Sequence, residues 1–140
     1  MQDRYLFRGK RLDNEEWVEG FYWRIQNDDS SYDEYILLDI TCHISNLTQT
    51  RFKIDPSTVG QCTGLRDKNG RLIFEGDIFL AGYYKWKCKV VRDEKCARFI
   101  GLTNDKDVKI VYVEMVDKHD ISAVEVVGNI FDNPELLEVE

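Results

Sequence analysis

At 140 residues the chain has the size of one domain that buries about two thirds of its unfolded surface, and its 43% apolar and 12% aromatic content excludes wholesale disorder. A net charge of -7 with pI near 4.9 excludes the simplest kind of nucleic-acid binder, which carries a net positive field. No apolar run approaches the ~20 residues of a membrane helix, so no membrane partner is expected.

The stretch from Met1 to Arg8 lacks the charged region, apolar region and cleavage site of a secretory signal, which predicts a cytoplasmic protein. In that reducing compartment Cys42, Cys62, Cys88 and Cys96, which form no Cys-x-x-Cys pair, are expected to remain thiols. Trp17, Phe21, Trp23 and Ile25 share one parity, so Trp17 to Ile25 reads as a strand with an aromatic inner face. It is expected to pair with Tyr5 to Arg8 across a turn near Asp13-Asn14-Glu15. After the acidic, serine-rich loop Asn27 to Asp33, Tyr35 to Ile40 is a short apolar strand.

Asp67-Lys68-Asn69-Gly70 lies between Cys62 to Leu65 and Arg71 to Phe74, and Asn-Gly predicts a tight type I′ hairpin. Glu75-Gly76-Asp77 then turns the chain into the apolar Ile78-Phe79-Leu80. Trp86, Cys88 and Val90 alternate with Lys85, Lys87 and Lys89, which predicts one buried and one charged strand face. Val108 to Val116 and Ala123 to Ile130 complete the strands. Asn133 as cap, Pro134 at the first helical position and Glu135 in the first turn predict a short C-terminal helix. The fold expected is mainly β, a small β-barrel-like domain over residues 1–140 with room for two sub-lobes.

Charge is uneven along the chain: residues 1–25 balance at zero, 26–60 carry -4, 61–100 carry +4 and 101–140 carry -7. The basic part centres on Lys85, Lys87, Lys89 and Arg92, a row that could track a phosphate backbone with Tyr83, Tyr84 or Trp86 stacking on bases. The plainer reading is that such lysines guard an exposed strand against edge-to-edge aggregation while Trp86 faces the core. Glu75 and Asp77 point to the same side of an extended segment and could share a divalent metal, with Asp67 across the hairpin. Turn formation explains the same acids without a metal. Cys42-His43, the other thiols and His119 have no zinc-motif spacing, and no cofactor is expected.

Two stretches resemble the YopX-like proteins of bacteriophages and prophages. Val59 to Ile78, with Gly64-Leu65-Arg66-Asp67-Lys68-Asn69-Gly70 and Glu75-Gly76-Asp77, is similar to their central motif. Val126-Val127-Gly128-Asn129-Ile130-Phe131-Asp132-Asn133-Pro134-Glu135-Leu136-Leu137 is similar to their C-terminal one, and Phe7-Arg8-Gly9-Lys10-Arg11 with Glu16-Trp17-Val18 to their start. The resemblance implies a mainly β, barrel-like fold, a phage or prophage origin in bacterial cytoplasm, and self-association. It carries no catalytic residue onto this chain, and Cys62 stands where such proteins often have Tyr.

The sequence therefore predicts a non-enzymatic phage or prophage accessory protein that binds a macromolecule as a homo-oligomer. A host or phage protein is the favoured partner, and nucleic acid is less favoured. The alternative is a metal-dependent enzyme acting on nucleic acid, with Glu75 and Asp77 as ligands.

Overall fold

The computed structural model describes residues 5–38, 51–81, 85–95, 97–103, 110–111 and 124–137. The chain divides into two compact units, Met1–Cys62 and Thr63–Glu140, and the division falls inside a strand.

In the first unit, β1 (Phe7–Lys10), β2 (Trp17–Gln26), β3 (Tyr32–Leu37), β4 (Arg51–Lys53) and β5 (Gly60–Arg66) are antiparallel in the order β4-β3-β2-β1-β5. The predicted pairing of β1 with β2 holds, Phe7 opposing Gly20 and Lys10 opposing Trp17. Its inner face differs from the expected one. Val18, Ile36 and Ile54 form the core, with Phe7, Tyr22, Phe52 and Val59 packed against them. Trp17, Phe21, Trp23 and Ile25 lie on the opposite, half-buried face. There Trp17 receives the guanidinium of Arg8 at 4.8 Å and the ammonium of Lys10 at 5.5 Å, and Trp23 packs on Tyr35. Aromatic bulk alone pointed inward, but rings also serve as platforms for cations from the adjacent strand.

In the second unit, β5 turns into β6 (Leu72–Phe74), and β7 (Asp77–Ala81), β8 (Trp86–Asp93), β9 (Arg98–Thr103), β10 (Ile110–Val111) and β11 (Val124–Asn129) form a sheet in the order β10-β9-β8-β7-β11. Its core is Ile73, Phe79, Ala81, Cys88, Val90, Val124 and Val126, with Leu65, Trp86 and Phe99 packed alongside. The alternation expected in β8 holds, since Cys88 and Val90 are buried between outward residues.

Two expectations need correction. The sheets do not close into a barrel: among the described residues β4 and β6 bound one, β10 and β11 the other, and no pairing joins these edges. Closure requires the outermost strands to hydrogen-bond, and β4 with three residues and β10 with two offer little ladder. The predicted C-terminal helix is a single 3-10 turn, Pro134–Leu137. Leu136 N–H donates to Asn133 O, while the Asn133 side chain is turned back to accept from Asn129 N–H at 3.3 Å. The expected cap thus serves the preceding strand.

Candidate functional site

The central motif forms the hairpin, but by a different turn. Only Gly70 has positive φ (81°), whereas type I′ needs two such residues. Gly70 N–H donates to Asp67 O at 3.0 Å and Asp67 N–H to Arg71 O at 2.8 Å, a type I turn closed by a glycine bulge. The Asp67 side chain selects it. Its Oδ1 accepts from Asn69 N–H at 3.0 Å and Arg71 N–H at 2.9 Å. Its Oδ2 reaches across 59 residues to accept from Val126 N–H on β11 at 2.9 Å. With both oxygens held and the residue 2% exposed, Asp67 is a fastener between hairpin and sheet.

The other motif residues behave alike. Thr63 Oγ1 donates to Ile73 O at 2.8 Å and accepts from Leu65 N–H at 3.1 Å. Asp77, 2% exposed, accepts from Phe74 N–H at 2.8 Å through Oδ2, closing the turn at Gly76. Gly76 N–H donates to Val90 O, and Gly76 O accepts from Ile130 N–H, each at 2.9 Å. In the C-terminal motif Asn129 Oδ1 accepts from Phe131 and Asp132 N–H at 3.0 and 2.9 Å. The shared stretches are turn and strand fasteners, and this is the chemistry that buried hydroxyls and carboxylates perform when they satisfy backbone donors.

Of the proposed metal pair, Glu75 is half-buried on the turn while Asp77 is buried and bonded to it. Among the described residues no three His, Cys, Asp or Glu side chains converge as a metal cluster. Cys88 is buried, and burial pushes its thiol up to about 12, so it packs as a neutral apolar group and donates weakly to Trp86 O. Cys62 is buried on β5. Cys42, His43, Tyr83, Tyr84, Cys96 and His119 lie outside the described residues.

The basic row is not a single row. Lys85 sits in a turn with φ 51°, ahead of β8. Lys87 and Lys89 share one face of β8, opposite Leu80 and Ile78 of β7. Arg92 has the other parity, its guanidinium 6.0 Å from the ring of Phe99. β8 lies between β7 and β9, so edge protection does not account for these lysines.

A feature not anticipated from the sequence lies in the first unit. Arg11, Leu12, Asp13, Arg51, Phe52 and Lys53 line an open cavity of about 420 Å³. Arg11 stands 4.3 Å over the Phe52 ring and donates to both oxygens of Asp13, at 2.9 and 2.5 Å. That pair holds the Asp13 carboxyl below its ordinary value. A basic residue on each side of Phe52 was visible in Arg51-Phe52-Lys53, but the approach of Arg11 depends on β1 and β4 meeting in space.

A family model described as "YopX protein" matches residues 6–138. No curated protein matches the chain. Among solved structures, the chain is similar to protein EF1440 from Enterococcus faecalis, at 26% identity and TM-score 0.57, covering 94% of this chain and 96% of that one. It is also similar to protein yopX from Bacillus subtilis, at 15% identity and TM-score 0.53 with 98% of each chain covered, a likeness of fold alone.

Proposed function

Because this chain belongs to the YopX protein family, we propose that it is a non-catalytic accessory protein of phage or prophage origin that binds a macromolecular partner in bacterial cytoplasm. It works as a homo-oligomer, and its partner is a host or phage protein. The observation that supports this reading is where the reactive side chains go. Asp67 and Asp77 are buried and bonded to backbone N–H groups, Thr63 is tied to Ile73 O, and Cys88 is a buried neutral thiol. Among the described residues the exposed side chains include the charged Lys85 and Lys87 together with the large apolar Tyr5, Leu12, Tyr32, Leu38 and Val127, and surfaces of this kind serve association.

Light scattering on the purified chain tests self-association: a mass at a multiple of 16.5 kDa is expected, and 16.5 kDa at every concentration refutes it. Cross-linking in bacterial lysate is expected to yield one stoichiometric protein partner, and recovery of none refutes the reading. A salt-steep affinity for single-stranded DNA, abolished by Lys87→Glu with Lys89→Glu, would instead assign the lysine face to nucleic acid. Metal-dependent cleavage of labelled DNA or RNA that disappears in Glu75→Ala would assign the enzymatic role.

A further inference from the structure

Strand pairing leaves part of β4 open along its outer edge. Ile54 N–H donates to Glu34 O at 3.0 Å, and antiparallel ladders alternate bonded with non-bonded pairs, so Ile54 and Phe52 direct their backbone groups at β3. Arg51 and Lys53 direct theirs the other way. There Lys53 O accepts from Leu12 N–H at 3.1 Å, beside the bridge from Arg11 to Ile54. The chain then folds back, Glu15 N–H donating to Arg11 O at 3.0 Å, and the ladder stops. Among the described residues no hydrogen bond reaches Arg51 N–H, Arg51 O or Lys53 N–H, and this stretch of edge lines the open cavity of about 420 Å³.

Side chains alternate along the same edge. Arg51 and Lys53 lie on the face of Tyr35 and Asp33, the guanidinium 4.9 Å from the Tyr35 ring and Lys53 Nζ 3.1 Å from the Asp33 carboxylate. Phe52 lies on the opposite, core face with Arg11 over its ring. Ring contact fixes the body of the Arg51 guanidinium, and among the described residues no carboxylate takes its N–H fork. Three of the residues lining the cavity are cations, and its one carboxylate, Asp13, is bonded to Arg11.

Given the protein partner proposed above, on which this step depends, we propose that the open edge of β4 takes an extended segment of that partner as an added strand, with a carboxylate side chain beside Arg51 and an apolar one beside Phe52. An unpaired edge is a template for another strand. One residue of the segment makes two ladder bonds in either direction: antiparallel with Arg51 N–H and Arg51 O, or parallel with Arg51 O and Lys53 N–H. Its side chains go alternately to the two faces, so the separation of Arg51 from Phe52 selects alternating acidic and apolar residues. Opposite charges facing each other across the pair add to its stability. A nucleic-acid strand has no peptide ladder to offer this edge.

A fluorescein-labelled nonapeptide alternating glutamate and valine tests it by fluorescence anisotropy, beside lysine–valine and glutamate–serine counterparts. The glutamate–valine peptide is expected to bind, and each counterpart to bind about tenfold more weakly. Arg51→Glu, with native urea unfolding, is expected to weaken binding about tenfold, the size of one charge-assisted contact. Methylated backbone nitrogens probe the ladder on the unaltered protein: methyl groups on one alternate set of the peptide, all glutamates or all valines, are expected to abolish binding, and on the other set to leave it. Absence of binding overturns the proposal, as does equal binding of either counterpart, unchanged affinity in Arg51→Glu, or loss with both methylated sets or with neither. Tighter, salt-steep binding of oligothymidylate that Arg51→Glu abolishes overturns it in favour of a nucleic-acid strand. A stoichiometric partner recovered from lysate while the peptide fails refutes this edge alone, whereas recovery of no partner refutes the reading beneath it.

Discussion

Asp67 uses both carboxylate oxygens to hold three backbone N–H groups, on Asn69, Arg71 and Val126. Alanine there leaves a buried donor at Val126 without its acceptor, and urea unfolding of Asp67→Ala is expected to show a loss of about 3 kcal/mol. Asp67→Asn, which keeps one acceptor oxygen, is expected to lose less. A second residue-scale consequence concerns Tyr22, which packs on the first core and donates to Glu34. Burial, then that hydrogen bond to a carboxylate, push its phenol from 10.0 up to about 12. The unfolded chain ionises first as pH rises, so the stabilisation is complete below pH 10 and is lost between 10 and 12. Alkaline titration of tyrosinate absorbance is expected to lose this late step in Tyr22→Phe, and stability in that interval to become flatter. Neither role was legible in the sequence. Asp67 reads there as a turn former, and its bond to Val126 is formed only when β11 pairs beside β7.

At the scale of elements, strand alternation was legible where one face is plainly apolar. In β8 the thiol of Cys88 and the isopropyl of Val90 face lysines across the strand, and the structure buries the expected pair. Alkylation mapped by mass spectrometry is therefore expected to reach Cys88 only as the protein unfolds, in step with its denaturation curve. In β2 the period was right and the face wrong, because large aromatic residues occupy one parity and the smaller Val18 and Gly20 the other. Which side is buried was decided by Ile36 and Ile54 from other strands. The hairpin was located correctly, and its turn type followed the Asp67 acceptor rather than the Asn-Gly pair. Gly70→Ala is expected to cost roughly 1 to 2 kcal/mol, since only its backbone sign matters and open space surrounds it. At Gly128 the restriction is steric: a Cβ would lie 2.5 Å from Asn133 Oδ1. Gly128→Ala is expected to destabilise by about 2 kcal/mol in thermal unfolding, as overpacking does.

For the molecule as a whole, the mainly β class and the family were readable from motifs at the start, middle and end of the chain. The cavity between the β1–β2 turn and β4 was not, because its residues lie about forty positions apart in two groups, Arg11 to Asp13 and Arg51 to Lys53. The clasp from Asp67 to Val126 also orders events during synthesis. The Asp67 carboxylate leaves the ribosome 59 residues before the amide that completes it, and β7 waits 43 residues (Ala81 to Val124) to 52 residues (Asp77 to Asn129) for its partners on β11. Until the last strand emerges, a nascent chain carries an unsated carboxylate and an open strand flank, so pauses near residue 124 are the interval in which chaperone capture or nascent-chain clumping would concentrate.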